Sequence, residues 1–222
     1  MTPDARNRIA RRVAQDIPEG AYVNLGIGLP TLVANHIPTD REVILHSENG
    51  LLGRWLRPSL QEVDPDLINA GKEPIKLLSG AALFHHADSF AMMRGGHLDI
   101  CVLGAFQVSS HGDLANWHTG DPNAIPAVGG AMDLAIGAKR VFVIMEHAGK
   151  GGVHKIVHEC SYPLTGVRCV SRIYTDLAVL DVREHGLTVI EIAPGVSPAQ
   201  LQVATGAQLH FETEALADPS HH

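Results

Sequence analysis

The sequence contains few aromatic residues, few cysteines and no long apolar run. Aromatic residues make up only 5% of the 222 residues, and there are 3 cysteines. Cys101, Cys160 and Cys169 are odd in number and lack CxxC spacing, which argues against a disulfide framework and favours a reducing compartment. No apolar stretch approaches the roughly 20 residues of a membrane span, and the N-terminus lacks the apolar segment of a signal peptide. We therefore expect a cytoplasmic protein that makes no contact with a membrane.

Positive charge is also scarce. The chain has 17 lysines and arginines against 24 aspartates and glutamates, a formal net charge of −7, which argues against binding to nucleic acid or to an anionic membrane surface. A local cluster of arginines would still be able to bind an anionic substrate. With 45% hydrophobic residues, the length suits one globular domain, which we expect to cover residues 1–222. The last few residues are expected to be disordered or tag-like, with His221-His222 either native or the remnant of a tag.

Helical and strand patterns alternate along the chain. Thr2-Pro3-Asp4 has the composition of a helix start, and apolar residues at four-residue spacing extend this helix to near Gly20. Apolar runs typical of strands occupy residues 21–25, 42–46, 98–104 and 141–145, and shorter helices are predicted at 31–37, at 130–138 and from Ser197 onward. Runs at 177–182 and 187–192 flank a glycine-containing turn and predict a hairpin. This order predicts a three-layer α/β/α fold with a mainly parallel sheet and an antiparallel part near the C-terminus.

One carboxylate lies in a polar turn directly after a strand-like run. Ser47-Glu48-Asn49-Gly50 follows the apolar residues 43–45, and the carboxyl ends of strands in an open α/β sheet face the crevice where ligands bind. A glutamate near its usual pKa of about 4.3 is ionised at neutral pH, so Glu48 needs no general base to act as a nucleophile. Gly53 would let another backbone approach the turn closely. Without this context, a glutamate in a turn is more often only a solvated side chain.

Two glycine-containing segments lie before predicted helices. Gly129-Gly130-Ala131 leads into the helix at 130–138, where backbone N–H groups can stabilise a developing oxyanion. The alternative is a turn that only allows the helix to pack closely on the sheet, and both interpretations can hold. The loop Gly26-Ile27-Gly28 follows a strand but does not match GxGxxG. We therefore predict no dinucleotide cofactor, and expect this loop to shape the floor of the crevice beside Glu48.

The 14 histidines do not form a recognisable metal site. His85 and His86 are adjacent, and adjacent residues on a regular element point apart. His154 and His158 are spaced i, i+4, but the chain contains no HExxH segment and its cysteines are scattered. We therefore predict no metal, and surface or site-lining positions for the histidines.

Two arginines follow the Glu48 turn, in the segment Arg54-Trp55-Leu56-Arg57. The simpler interpretation is a solvated loop. The alternative hypothesis is that Arg54 or Arg57 binds the remote carboxylate of a dicarboxylic substrate. An unchanged substrate KM in both Arg54→Ala and Arg57→Ala would exclude this hypothesis.

The Ser47-Glu48-Asn49-Gly50 turn resembles the signature of the β subunits of the 3-oxoacid CoA-transferases. The likeness continues in family order along nearly the whole chain, in residues 23–31, 89–99, 103–108, 112–117, 129–133, 163–166 and 173–179. Residues 84–90, 116–120 and 125–130 are similar to the 3-oxoadipate branch rather than to the acetoacetate branch, which is the alternative. Residues 54–57 depart from both branches, which usually have a small Gly-Pro-containing segment there.

The resemblance implies a fold of the CoA-transferase β-subunit type, a covalent mechanism and a partner. Glu48 is the expected nucleophile, which takes CoA from succinyl-CoA and passes it to a 3-oxo acid by a ping-pong mechanism. Gly130 and Ala131 are the expected oxyanion donors, through their backbone. CoA esters are then substrates, no cofactor is tightly bound, and an α subunit is the expected partner. The residues expected to contact substrate or CoA are Asn49, Gly50, Gly26, Gly28 and Gly129.

Two other functions fit parts of the sequence. Related folds host sugar-phosphate isomerases, but we find neither the lysine–aspartate acid–base set nor the phosphate-binding turns that such an enzyme needs. A catalytically idle ligand-binding subunit would contain the same turn. Glu48→Ala separates this case from a transferase, because a binding module would keep its ligand affinity.

Overall fold

The computed structural model describes residues 1–121, 123, 125–126 and 128–212, so the predictions for the last few residues and for His221-His222 lie outside the described residues. The helices in this part of the chain are α1 (Pro3–Gln15), α2 (His86–Arg94), α3 (Ala131–Gly137) and α4 (Pro198–Ala204), with 3-10 helices at Leu29–His36 and Lys150–Gly152. The strands are β1 (Tyr22–Leu25), β2 (Ile44–Ser47), β3 (Leu51–Gly53), β4 (Trp55–Leu56), β5 (Lys76–Leu77), β6 (Ala82–Leu83), β7 (Ile100–Leu103), β8 (Gln107–Ser109), β9 (Leu114–Ala115), β10 (Arg140–Ile144), β11 (Ile156–Val157), β12 (Val170–Tyr174), β13 (Ala178–Arg183), β14 (Gly186–Ile192) and β15 (Leu209–Phe211).

A ten-stranded sheet organises the fold, in the order β15-β14-β13-β12-β10-β7-β1-β2-β3-β6. Its central strands β2, β1, β7, β10 and β12 are all parallel to their neighbours in that group. Antiparallel pairs flank them, including the predicted hairpin of β13 and β14. The chain runs from β1 to β2 on one side and then crosses to β7 on the other. This reversal makes a topological switch point between β1 and β7.

Each face of the sheet has its own hydrophobic core. On one face, buried Ile9 and Val13 of α1 and Val33 of the first 3-10 helix pack in a cluster with sheet residues such as Val102. On the other face, α2, α3 and α4 contribute Met93, Leu134 and Leu201 to a cluster that contains Val143 and Ile173. Full burial of each such side chain is worth about 1.5–3 kcal/mol. The predicted three-layer α/β/α fold is confirmed.

Helix α1 begins where the sequence predicts and ends earlier. The Thr2 side chain accepts a hydrogen bond from the N–H of Ala5 at 3.3 Å, which caps the helix. The helix ends at Gln15 rather than near Gly20, because Pro18 disfavours a helical conformation of the residue before it. Asp16, at the C-cap, accepts hydrogen bonds from Arg172 at 2.6 Å and Tyr174 at 2.7 Å. The end of α1 is thereby tied to β12.

Helix α2 was not predicted from the sequence. Its N-cap is His85, whose Nδ1 accepts a hydrogen bond from the N–H of Ala87 at 3.1 Å. Histidine is not one of the usual capping residues, and only Ser89 and Met93 of this helix are buried. The helix therefore lacks both a standard start signal and a long apolar stripe.

Sites of two other kinds are absent from the described ranges. No helix there is long and apolar enough to span a membrane. The same residues include no group of three or more histidine, cysteine, aspartate or glutamate side chains placed to hold a metal ion.

Candidate active site

A cleft of about 520 Å³ opens at the carboxyl ends of β2, β1, β7 and β10. It therefore lies at the switch point of the sheet, where ligands bind in open α/β folds. Its lining includes the segment after each of these strands, namely Glu48 after β2, Gly26 and Ile27 after β1, Gly104 to Phe106 after β7, and Met145 and Glu146 after β10. The start of α3 closes one side, with Gly129, Gly130 and Ala131.

Glu48 lies in a tight turn between β2 and β3. The turn is closed by a hydrogen bond from the N–H of Gly50 to the carbonyl of Ser47 at 3.0 Å. Gly50 has φ +106°, and a Cβ on it would lie 2.1 Å from the carbonyl oxygen of Phe84, so no other residue fits. Gly53 permits an equally close approach, because a Cβ there would lie 2.6 Å from the Cα of Ala81. The predicted polar turn and the role of Gly53 are both confirmed.

The carboxylate of Glu48 lies directly against Gly130. A Cβ on Gly130 would be 2.2 Å from Oε2 of Glu48, so this position accepts only glycine while the carboxylate keeps its place. The N–H of Ala131 donates to the carbonyl of Val128 at 3.2 Å, so it is not free to point at a substrate in this conformation. The structure brings the predicted nucleophile and the predicted oxyanion segment together.

The surroundings of Glu48 favour its neutral form. Burial raises the pKa of this carboxyl group, the charge of His86 partly opposes the shift, and the carboxylate of Asp133 adds to it. A carboxylate that is poorly solvated is a stronger nucleophile than one fully surrounded by water. The local environment therefore suits attack by Glu48 on an electrophilic carbon.

The other predicted contact residues divide into two groups. Gly26 and Gly129 line the cleft, and Gly26 donates its N–H to the carbonyl of Val102 at 2.8 Å, which fastens the loop to β7. Gly28, Asn49 and Gly50 lie beside the cleft but not in its lining. The Asn49 amide donates to the carbonyl of Ile68 at 2.8 Å, which holds the turn. Direct contact of these residues with substrate stays a prediction.

The cations of the cleft are not the ones that the sequence suggested. Neither Arg54 nor Arg57 belongs to its lining, and Arg54 instead donates to the carbonyl of Thr39 at 3.1 Å. Arg6 and Lys155 line the cleft, and burial lowers the pKa of Lys155. Both lie far from Glu48 in sequence, so no local pattern marks them.

A buried histidine lies one residue before the turn on β2. His46 is 1% exposed, with Nδ1 3.0 Å from the amide nitrogen of Asn24 and Nε2 2.9 Å from the hydroxyl oxygen of Ser89. The same amide nitrogen of Asn24 donates to the carbonyl of His46 at 3.2 Å. Burial lowers the pKa of His46 to about 4.

A second buried histidine has a similar environment. His147 is completely buried, with Nδ1 2.9 Å from the hydroxyl of Thr175 and Nε2 2.9 Å from that of Thr205. Burial lowers its pKa to about 4 as well. The unfolded chain takes up protons at these histidines near pH 6.5, and the folded chain only near pH 4. The stability contributed by neutral His46 and His147 is therefore present above pH 6.5 and lost as the pH falls through this window.

We expect each of these histidines to remove about 2 kcal/mol from the free energy of unfolding between pH 7 and pH 5. Urea unfolding at both pH values measures the loss. His147→Gln removes one of the two titrating groups, so its loss on acidification should be smaller than that of the unmodified chain by about 2 kcal/mol. An equal loss in both proteins would show that His147 does not remain neutral in the folded chain.

The fold and the cleft together define an α/β enzyme whose ligand site lies at the switch point of its sheet. The chain belongs to the Coenzyme A transferase family, whose sequence profile matches residues 6–204. The resemblance found in the sequence is confirmed, and so is the prediction of a CoA-transferase.

Relatives and a solved structure support this assignment. The chain is 64% identical to the β subunit of the 3-oxoadipate CoA-transferase of Acinetobacter baylyi, over 94% of this chain and 96% of the relative. It is 50% identical to the β subunit of the succinyl-CoA:3-ketoacid coenzyme A transferase of Helicobacter pylori, over 91% of this chain and 97% of the relative. The crystal structure of the acyl-CoA transferase YdiF from Escherichia coli O157:H7 superposes with a TM-score of 0.74 at 24% identity. The superposition covers 94% of this chain but 42% of that one, and it shows the fold alone.

Proposed function

We propose that this chain is the β subunit of a 3-oxoadipate CoA-transferase, which moves CoA from succinyl-CoA to 3-oxoadipate together with an α subunit. The observation that carries the proposal is the position of the Glu48 carboxylate, in the cleft and directly against Gly130. The identity to the β subunit of the Acinetobacter baylyi 3-oxoadipate CoA-transferase, 64% over almost the full length, supports the acceptor.

The reaction proceeds in two symmetrical halves. Glu48 attacks the thioester carbonyl of succinyl-CoA and expels CoA thiolate, which leaves a mixed anhydride of succinate and Glu48. The thiolate attacks the glutamyl carbonyl of this anhydride, and succinate leaves, so that CoA is held as a thioester of Glu48. A carboxylate of 3-oxoadipate then attacks this thioester and gives a second anhydride. The returning thiolate attacks the acyl carbonyl, which releases 3-oxoadipyl-CoA and restores Glu48.

The site supplies what a carboxylate nucleophile needs. Partial burial weakens the solvation of Glu48, as the direction of its pKa shift shows. A backbone donor at Gly130 or Ala131 would stabilise the oxyanion formed at the attacked carbonyl, an interaction typically worth about 10²–10³ in rate. For Ala131, this requires its N–H to leave or share its bond to Val128. The binding energy of the large CoA group, which does not itself react, can offset the remaining barrier.

Other features of the cleft fit an anionic substrate and a covering partner. Arg6 and Lys155 provide positive charge in the lining, which suits a dicarboxylic acid. Ile27 and Phe106 line the cleft and are 69% and 41% exposed, which is costly for apolar side chains that nothing covers. Closure of this cleft by the α subunit would exclude water from the two reactive anhydrides.

Trapping of the covalent intermediate tests the proposal. The chain, co-purified with its α subunit, is given succinyl-CoA without acceptor, treated with borohydride and mapped by peptide mass spectrometry. We expect the Glu48 side chain to be recovered as the alcohol that borohydride forms from a thioester, and Glu48→Gln to give no such product. An unmodified Glu48 in a complex that binds CoA would contradict the nucleophile assignment and favour an idle subunit.

The acceptor is tested separately, on the same complex. We expect kcat/KM for 3-oxoadipate to exceed that for acetoacetate, with succinyl-CoA as donor in both assays. The reverse order would assign the chain to the alternative, a succinyl-CoA:acetoacetate CoA-transferase, without changing the covalent mechanism.

A further inference from the structure

His46 is not used by the proposed mechanism, although it lies closer to Glu48 in the chain than any other buried titratable group. It faces Asn24 of β1 on one side and Ser89 of α2 on the other. It thus joins the strand that ends at the nucleophile to a helix on the neighbouring layer.

The hydrogen bonds of this network have a defined direction. The carbonyl of His46 can only accept, so the Asn24 group 3.2 Å from it must be the donating NH₂. The same NH₂ faces Nδ1 of His46, which must therefore be the unprotonated, accepting nitrogen. The proton is on Nε2, which donates to the hydroxyl of Ser89. The Ser89 hydroxyl proton is then directed toward the carbonyl of Ser47, 3.5 Å away, in the residue before Glu48.

Helix α2 in turn holds the other half of the site. It packs so closely on α3 that a Cβ on Gly137 would lie 2.0 Å from the carbonyl oxygen of Met93. Arg94 pairs with Asp133 of α3 through two hydrogen bonds, of 2.7 and 3.3 Å. Phe90 lies 3.4 Å from where a Gly130 Cβ would be. A rigid path therefore runs from β2 through His46 and α2 to the segment that touches the Glu48 carboxylate.

We propose that His46 is a positioning residue for CoA transfer: its neutral imidazole ties the strand ending at Glu48 to α2 and so fixes the Glu48 carboxylate over the start of α3. The inference rests on the proposed function, because it assigns His46 to the covalent step. The depressed pKa of His46 agrees with an imidazole that stays neutral at physiological pH. A displacement of about 1 Å in the nucleophile can lower a rate by about 10²-fold, so the effect should be measurable.

The chain provides a matched control. His147 is as buried as His46 and has a hydroxyl partner at each ring nitrogen, but it does not line the cleft. His46→Leu and His147→Leu remove comparable buried networks and should destabilise the chain to similar extents. Only the first should slow the chemistry. His46→Gln keeps an acceptor and a donor on one planar group, so it can replace both hydrogen bonds of the imidazole.

The experiment measures kcat, the KM for succinyl-CoA and the single-turnover rate of thioester formation, in each variant co-purified with the α subunit. For His46→Leu we expect kcat and the thioester rate to fall by about 10- to 100-fold with a KM changed less than about threefold, because positioning acts on the transition state. His46→Gln should recover most of the rate. His147→Leu should keep a kcat near that of the unmodified chain. Ser89→Ala, a smaller change, should slow the same step if His46→Leu does not fold.

Each outcome decides the inference. A kcat that falls equally in His46→Leu and His147→Leu, in step with thermal stability, would reduce His46 to a structural residue. So would a His46→Gln variant as slow as His46→Leu, or a normal rate in Ser89→Ala. Loss of the thioester in the unmodified complex would instead overturn the proposed function, and this inference with it.

Discussion

Glu48→Gln should abolish CoA transfer, with kcat reduced by at least about 10⁴-fold, as is typical for loss of a covalent nucleophile. Glutamine has nearly the same size, so it keeps the turn closed by Gly50 and the fit against Gly130. A carboxamide oxygen is a far poorer nucleophile than a carboxylate, and it cannot give the anhydride or the thioester. Steady-state transfer from succinyl-CoA to 3-oxoadipate, by the complex with the α subunit, measures the effect.

Two further substitutions define what this loss means. Glu48→Asp keeps a carboxylate but withdraws it by one methylene, so we expect partial activity, lower by about 10²-fold. Glu62→Gln removes a carboxylate of the protein surface that pairs with Lys76, and should leave transfer unchanged. A Glu48→Gln complex that retains more than about a hundredth of the kcat would mean that transfer does not pass through this residue.

The parts of the site that the sequence predicts are those encoded in short segments. The turn at Glu48 and the approach at Gly53 depend on glycines within a few residues of a strand, and the backbone contacts of Gly50 and Gly53 show why only glycine fits. The oxyanion segment at Gly130 is likewise the start of one helix. Such features require no knowledge of which strands are neighbours.

The features that the sequence did not predict depend on the order of strands. Lys155 reaches the cleft because β10 lies two strands from β1 in the sheet, an arrangement that periodicity along the chain does not contain. The partners of His46 come from β1 and α2, at positions 24 and 89. Proximity to Glu48 in sequence suggested Arg54, which is bound to Thr39 instead. Side chains that meet across layers have no local signature.

Gly130→Ala should lower kcat strongly while leaving the fold intact. The added methyl group would lie 2.2 Å from Oε2 of Glu48, so the carboxylate must leave its position over α3. The backbone at Gly130, with φ −84° and ψ 5°, is one that alanine adopts readily, so the residue must be glycine on account of Glu48 and not of the turn. Displacement of the nucleophile, with a disturbed oxyanion donor, should reduce kcat by about 10²–10³-fold.

Gly149→Ala is the matched control, because Gly149 has φ −80° and a Cβ there would meet its nearest neighbour at an ordinary 3.4 Å. Its kcat and its melting temperature should match those of the unmodified complex, and the melting temperature of Gly130→Ala should change little. The double variant Glu48→Asp, Gly130→Ala tests the mechanism of the loss. The shorter aspartate does not reach the added methyl group, so Gly130→Ala should be less harmful in that background, a coupling that a double-mutant cycle measures directly. Independent effects of the two substitutions would mean that Gly130 acts on the reaction by a route other than contact with the Glu48 carboxylate.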